Sequence, residues 1–133
     1  MVIDSSALLA IILDEPELDE FASIVAKADV VRFSAASYVE ASMVLTMRIR
    51  PQQESSLDEY LQRYEIRIEP LTEEQARIAA EAFRSYGRGR HKARLNYGDC
   101  FTYALAKATR EPLLFKGNDF SQTDLESAIK PLQ

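Results

Sequence analysis

The chain has 133 residues and a mass of 15.1 kDa, a size at which a single domain over residues 1–133 buries about two thirds of the surface its unfolded form exposes. Its 47% apolar and 28% charged content is that of an ordinary soluble globule and excludes a disordered or collagen-like chain. A net charge of −5 argues against a sequence-independent DNA coat, whose affinity comes from Lys and Arg neutralising phosphates, but it leaves room for a metal to do so.

The N-terminal apolar run lacks a preceding basic segment and is bracketed by Asp4, Asp14 and Glu15. It therefore reads neither as a secretory signal nor, being short, as a membrane span. The single cysteine, Cys100, cannot close an internal disulfide, which fits a reducing, cytoplasmic setting.

Taken in order, Met1 to Ile3 read as a buried strand that delivers Asp4 to its C-terminal end. Ser5 or Ser6 can then cap a helix through Leu8, Leu9, Ile11, Ile12 and Leu13, which is apolar all round and so largely buried. Asp14-Glu-Pro-Glu ends it, and Pro16 suits the first turn of a second helix carrying Leu18, Phe21, Ile24 and Val25. A strand follows over Val30 to Ser34. From Ala35 to Ile49, with Val39, Met43, Val44 and Met47 at helical spacing, comes a helix that bears Glu40 and is closed by Pro51. Another helix runs from about Glu54 to Tyr64, and Ile66 to Pro70 alternates as a short strand.

Thr72-Glu-Glu-Gln75 is a capping-box signature for a helix reaching Gly87, a candidate left-handed stop. Gly87 to Leu95 is a basic, exposed loop. Asn96-Tyr-Gly-Asp-Cys100 enters a helix through Phe101, Leu105 and Ala108. Pro112 to Gly117 form a strand ending in a turn, followed by Asn118-Asp119-Phe120, and Asp124 to Leu132 fit a short helix or a strand. Strands that alternate with helices, without hairpin signals, define a three-layer α/β domain with a mainly parallel sheet.

The chemistry lies in carboxylates at the corners of this alternation. Asp4 follows the first strand and Asp119 the fourth. If these strands are neighbours, both acids overhang one sheet edge at a topological switch point. Glu40 and Asp99 arrive there from helix beginnings. Four such acids repel unless a cation lies between them, and all-oxygen ligands suit Mg²⁺ or Mn²⁺. Such a site lowers the pKa of a water and stabilises charge on a phosphodiester. Each acid also has a structural reading: Asp4 as a helix cap, Glu40 within the capping box Ser37-Tyr-Val-Glu40, Asp99 paired with Asn96 in another, and Asp119 as a turn residue.

Together, Val2-Ile-Asp-Ser-Ser-Ala7, Ser37-Tyr-Val-Glu40, Leu95-Asn-Tyr-Gly-Asp-Cys-Phe101 and Leu113-Leu-Phe-Lys-Gly-Asn-Asp-Phe120 resemble the PIN-domain ribonucleases of the VapC toxin family, in order and over nearly the whole chain. The resemblance implies a Rossmann-like sheet of order 3-2-1-4-5 and a Mg²⁺- or Mn²⁺-dependent endoribonuclease that hydrolyses RNA. It also implies frequent homodimers and a cognate VapB-type antitoxin whose tail occupies the active-site groove. By motif position, Asp4, Glu40, Asp99 and Asp119 correspond to the family's acidic quartet, with Asp119 as a second-metal or outer residue, and Asn96 to a polar residue beside it. Ser5 stands where many relatives carry threonine and keeps the hydroxyl.

Arg84, Arg88, Arg90, Lys92 and Arg94 precede the Asn96-to-Asp99 motif and suit phosphate contacts, or pairing with acidic groups of an antitoxin. A lone histidine, His91, excludes a metal-free His-pair mechanism and reads as a loop residue. Cys100 reads as packing, as do Tyr38, Met43 and Met47 in the core or in a dimer contact. A haloacid-dehalogenase-type phosphatase needs a second Asp two residues after Asp4, where Ser6 stands. A silent RNA-binding or regulatory PIN module usually lacks part of the acidic set, which is complete here.

Overall fold

The structure, a computed structural model, describes residues 1–48 and 56–130. Its frame is set by side chains alternating along its two shortest strands. β1 (Val2–Ile3) and β4 (Leu113–Leu114) pair in parallel with Val2 opposite Leu113 and Ile3 opposite Leu114. Successive strand residues point to opposite faces, so each pair serves a different core. Val2 and Leu113 pack with Ala79, Ala82, Leu95 and Leu105, the side covered by α5 (Glu73–Tyr86) and α6 (Tyr97–Thr109). Ile3 and Leu114 pack with Leu8, Ile11, Phe21, Leu45 and Leu61. That side is covered by α1 (Ser5–Ile12), α2 (Leu18–Lys27), α3 (Ala35–Arg48) and α4 (Ser56–Arg63). The result is the expected three-layer α/β arrangement, with both faces of a parallel sheet covered.

β2 (Val31–Ser34) and β3 (Ile66–Glu69) complete the sheet, whose order is β3-β2-β1-β4 with every pairing parallel. Among the described residues the sheet thus has one strand fewer than the order 3-2-1-4-5. At the fifth position the chain makes only a one-residue parallel bridge between Leu113 and Ser127. It is held by the Leu113 amide to the Glu126 carbonyl at 2.9 Å and the Ala128 amide to the Leu113 carbonyl at 2.8 Å. Glu126 and Lys130 flank this bridge, and charges of this kind blunt an edge against further pairing. The segment is neither a helix nor a full strand as far as Lys130. β3, at the other edge, breaks its alternation at the exposed Ile68. Arg32 ties the sheet together across its strands, donating from Nη1 to Glu69 at 2.7 Å and from Nε to Glu111 at 3.0 Å.

Several helix ends differ from expectation. Asp4 itself caps α1 by accepting from the Ser6 amide at 3.0 Å, so Ser5 and Ser6 are free for other work. α3 starts directly from β2 with no linker, and the Ser34 hydroxyl accepts from the Ala36 amide, which removes the capping-box role of Ser37 and Glu40. Pro16 lies just ahead of α2, whose N-cap is Glu17. Thr72 caps α5 as expected, accepting from the Gln75 amide at 3.1 Å. Gly87 does not adopt a left-handed conformation: its φ of −67° and ψ of 158° are extended. The expected continuation of α3 to Ile49, its stop at Pro51, the start of α4 at Glu54 and the chain beyond Lys130 lie outside the described residues. Among the described residues no helix is long and apolar enough to cross a membrane.

Candidate active site

With β1 flanked by β2 on one side and β4 on the other, the chain's connections leave β1 in opposite directions. This creates a crevice at the C-terminal ends of the strands. Asp4 emerges there from β1 and is 3% exposed. Its Oδ2 accepts from the Ser6 amide, and its Oδ1 accepts from the Thr102 hydroxyl of α6 at 2.6 Å. The Thr102 oxygen is in turn 3.1 Å from the Ser37 hydroxyl of α3.

Glu40, one helical turn beyond Ser37, is held by the Ser5 hydroxyl, which donates to its Oε1 at 2.7 Å. Its Oε2 lies so close to the backbone of α6 that a Cβ built on Gly98 would stand 1.9 Å away. Asp99 is fixed by a full capping box: the Asp99 amide donates to Asn96 Oδ1 at 2.8 Å, and Asp99 Oδ2 accepts from the Asn96 amide at 3.0 Å. The structural reading of Asp4 and Asp99 thus holds, since each serves the start of a helix, and the charge of Asp4 also acts on Asp99. Asp119 is exposed on the segment after β4, just ahead of a 3-10 turn over Phe120–Gln122. The Ser6 hydroxyl anchors that segment by accepting from the Lys116 amide at 3.0 Å.

The charges of Asp4, Asp119 and Glu40 all act on Asp99. Asp99 is pushed up from 3.8 to about 7, chiefly by burial, with further raising by the charges of Asp4, Asp119 and Glu40 against the lowering effect of its backbone hydrogen bond. Lys116 does not offset them, because its ammonium pairs with Glu15 and with Glu17 at 3.2 Å. Among the described residues no three His, Cys, Asp or Glu side chains already stand as a ligand cluster. The donor set nonetheless fits a hard divalent cation. It is all oxygen, it carries excess negative charge, and Asp99 Oδ1 together with Glu40 Oε2 has no protein donor among the bonds described.

The basic residues stand around the entrance to α6. The loop from Gly87 to Leu95 closes on itself through a bridge between its ends, with the Leu95 amide bonded to the Tyr86 carbonyl and the Arg88 amide to the Leu95 carbonyl. Arg88, Lys92 and Arg94 are exposed on it, Arg84 pairs with Glu81 at 3.0 Å, and Arg90 Nε donates to the Arg84 carbonyl. The loop is less simply solvated than its composition suggests: Ala93 and Leu95 are fully buried. His91 is half-buried, its ring edge-on to Tyr86 and its Nδ1 accepting from the Ala93 amide at 3.0 Å. It braces the loop. Burial beside Asp99 raises the Cys100 thiol to about 11, which agrees with packing rather than nucleophilic use. Met43 and Met47 are not in the core; they are 65% and 86% exposed on the outer face of α3. Tyr38 packs against the core and donates its hydroxyl to Asp58 at 2.9 Å.

Sequence reasoning gave Ser6 and Ser37 only capping roles and gave Thr102 and Gly98 none. A signal for two of them existed: Thr102 follows Asp99 by three residues and Ser37 precedes Glu40 by three, so each shares a helix face with an acid.

Comparison with known proteins identifies the family. The model of the PIN domain matches residues 1–126. Ribonuclease VapC28 of Mycobacterium tuberculosis is 48% identical over 130 residues, 97% of this chain and 98% of that protein. Among solved structures, M. tuberculosis VapC20, described as a sarcin-ricin loop cleaving toxin, superposes with a TM-score of 0.78 at 18% identity, covering 98% of both chains. VapBC2 from Rickettsia felis, bound to a DNA fragment from its promoter, gives 0.75 at 15% identity, over 95% of this chain and 94% of that one. The chain belongs to the PIN-domain family and, within it, to the VapC ribonucleases.

Proposed function

We propose that the protein is a Mg²⁺- or Mn²⁺-dependent endoribonuclease, the toxin of a type II toxin-antitoxin pair, which cuts RNA at phosphodiesters. The observation that carries this reading is the gathering of Asp4, Glu40 and Asp119 about Asp99 at the C-terminal edge of the sheet. Near-full-length similarity to proteins named VapC ribonucleases supports the substrate class. Asp4 and Asp99 hold the cation, Glu40 completes its ligands or orients the attacking water, and Asp119 lies further out. When bound, the cation supplies Lewis acidity toward water and neutralises charge building on the phosphate. The chain's own work is orientation: the Ser5 hydroxyl keeps Glu40 turned toward the crevice and Asn96 fixes Asp99. The exposed Arg84, Arg88, Arg90, Lys92 and Arg94 hold the RNA backbone next to the reacting phosphodiester.

The partner is a VapB-type antitoxin, a reading supported by toxin-antitoxin assemblies among the structural relatives. An apolar groove of about 580 Å³ bordered by Val39, Met43, Leu71, Tyr97 and Phe101 adjoins Glu40 and Gly98, and a partner segment lying there covers the acids. The protomer acts as a homodimer in the cytoplasm. The decisive experiment incubates total cellular RNA with partner-free protein in Mg²⁺ or Mn²⁺, in EDTA, and with Asp4→Asn. Discrete fragments are expected only from wild type with metal. Fragments that persist undiminished with the variant overturn the assignment, and no cleavage by folded, metal-loaded wild type favours a silent RNA-binding module.

A further inference from the structure

The two acids at the heart of the crevice are joined to a third element by hydroxyls that no catalytic role accounts for. Thr102 and Ser37 are 1% and 2% exposed, separated from solvent, and bonded in series to Asp4. The direction of the series follows from counting protons. A carboxylate only accepts, so the single hydroxyl proton of Thr102 goes to Asp4 Oδ1. Thr102 must then accept in its contact with Ser37, and Ser37 donates. One-way donation runs Ser37 to Thr102 to Asp4, from α3 through α6 to the end of β1.

The cap from the Ser6 amide reaches Oδ2 from the chain next to Asp4 and alone leaves the carboxylate free to swing about its last torsion. The bond from Thr102 reaches the other oxygen from 98 residues away, and two bonds to two oxygens fix the plane. Thr102 lies one turn from Asp99 and Ser37 one turn from Glu40. The pair therefore sets the mutual position of the three elements that carry Asp4, Asp99 and Glu40.

We infer that Thr102, backed by Ser37, is a positioning residue that holds the Asp4 carboxylate in the orientation required to bind a divalent cation together with Asp99. This rests on the metal reading of the site given above. It also assigns to α6 a second part: Asp99 binds, and Thr102 aims its partner. Groups that orient metal ligands in this way are commonly worth 10–100-fold in metal affinity.

The test measures Mn²⁺ binding to purified full-length protein by calorimetry, with circular dichroism and urea unfolding recorded for every variant. Thr102→Val keeps the side chain's shape and deletes its hydroxyl, and it is expected to weaken Mn²⁺ binding by on the order of 10-fold or more while remaining folded. Thr102→Ser restores the hydroxyl and the affinity. Ser37→Ala, which leaves the Asp4 bond in place, weakens binding less. Added to Thr102→Val it changes nothing further, because its effect passes through Thr102. Wild-type affinity in folded Thr102→Val, or independent, additive losses from the two sites, overturns the inference while the metal site stands. If wild type itself binds Mn²⁺ no better than Asp4→Asn does, the metal reading fails and this inference with it. Should Thr102→Val not fold, Ser37→Ala and Thr102→Ser decide: a loss in the first with retention in the second is required.

Discussion

At the scale of single residues, the site is built on close approach, and Gly98 shows what that requires. It occupies the first turn of α6, where alanine is ordinarily preferred to glycine by up to about 1 kcal/mol. The group in the way of a Cβ is the far end of Glu40, at 1.9 Å from Oε2 and 2.7 Å from Cδ. A flexible side chain moves aside at little cost to the fold. Gly98→Ala is thus expected to unfold in urea at the same or a higher concentration than wild type, while RNA cleavage falls by on the order of 10²-fold, the usual scale for displacing a catalytic group by about 1 Å. A stable variant with undiminished cleavage would show that Glu40 does not act from its present position. The same reasoning places Ser5 beside Glu40 as its support, since the bond at 2.7 Å is what holds the carboxylate against the glycine.

At the scale of elements, Gly87 is the instructive contrast, because here the obstacle is backbone. A Cβ at Gly87 would meet the Phe83 carbonyl at 2.3 Å and the Phe83 ring at 2.6 Å, and that carbonyl accepts the Gly87 amide at 2.8 Å to close the last turn of α5. Gly87→Ala should cost about 1–3 kcal/mol, as overpacking does, measured as a lower urea midpoint with unchanged slope. A neutral result would mean that the end of α5 yields. The sequence marked Gly87 as special for a different reason, handedness, since a helix ending at glycine usually signals that. What was legible elsewhere followed the same division. Apolar periodicity located β1, α1, α5 and α6, and polar signatures located the Thr72 and Asn96 caps, because these depend on residues within a turn of each other. Asp4 and Asp99 were placed at element ends for the same reason, whereas Glu40 lies in the second turn of α3 rather than at its edge. What was hidden depends on distance: the Asp4–Thr102 and Ser37–Thr102 contacts span 98 and 65 residues. Ser34 was taken for the end of a strand alone, though with no linker before α3 it also caps that helix. The fifth strand implied by the resemblance is reduced, among the described residues, to the single bridge between Leu113 and Ser127.

At the scale of the whole molecule, gathering the acids opposes folding, and pH shows by how much the site and the fold compete. Asp99 titrates near 3.8 when unfolded and at about 7 in the folded protein, raised chiefly by burial and then by its acidic neighbours. Below the lower value both states hold the proton. Between the two values only the folded state does, so this group's contribution to stability is lost as pH rises through the window, and above about 7 the loss is complete. Other carboxylates titrate in the same range, so the contribution is isolated by comparison with Asp99→Asn, which is neutral at every pH and retains an oxygen for the Asn96 amide. In EDTA, the melting temperature of Asp99→Asn minus that of wild type should rise from pH 4 to pH 7 and then level off. A difference independent of pH would mean that Asp99 does not carry the strain of the site. If the crevice takes up a divalent cation as proposed, the cation should narrow this difference. It binds the ionised carboxylates of the folded state, adding about 2.7 kcal/mol to wild type at 100 times its dissociation constant, and Asp99→Asn gains less. Because the cation competes with the Asp99 proton, wild type should bind Mn²⁺ progressively more weakly as pH falls below 7, releasing a proton on binding. Mn²⁺ affinity that does not change between pH 5 and pH 8 would show that the Asp99 proton and the cation do not compete for one site.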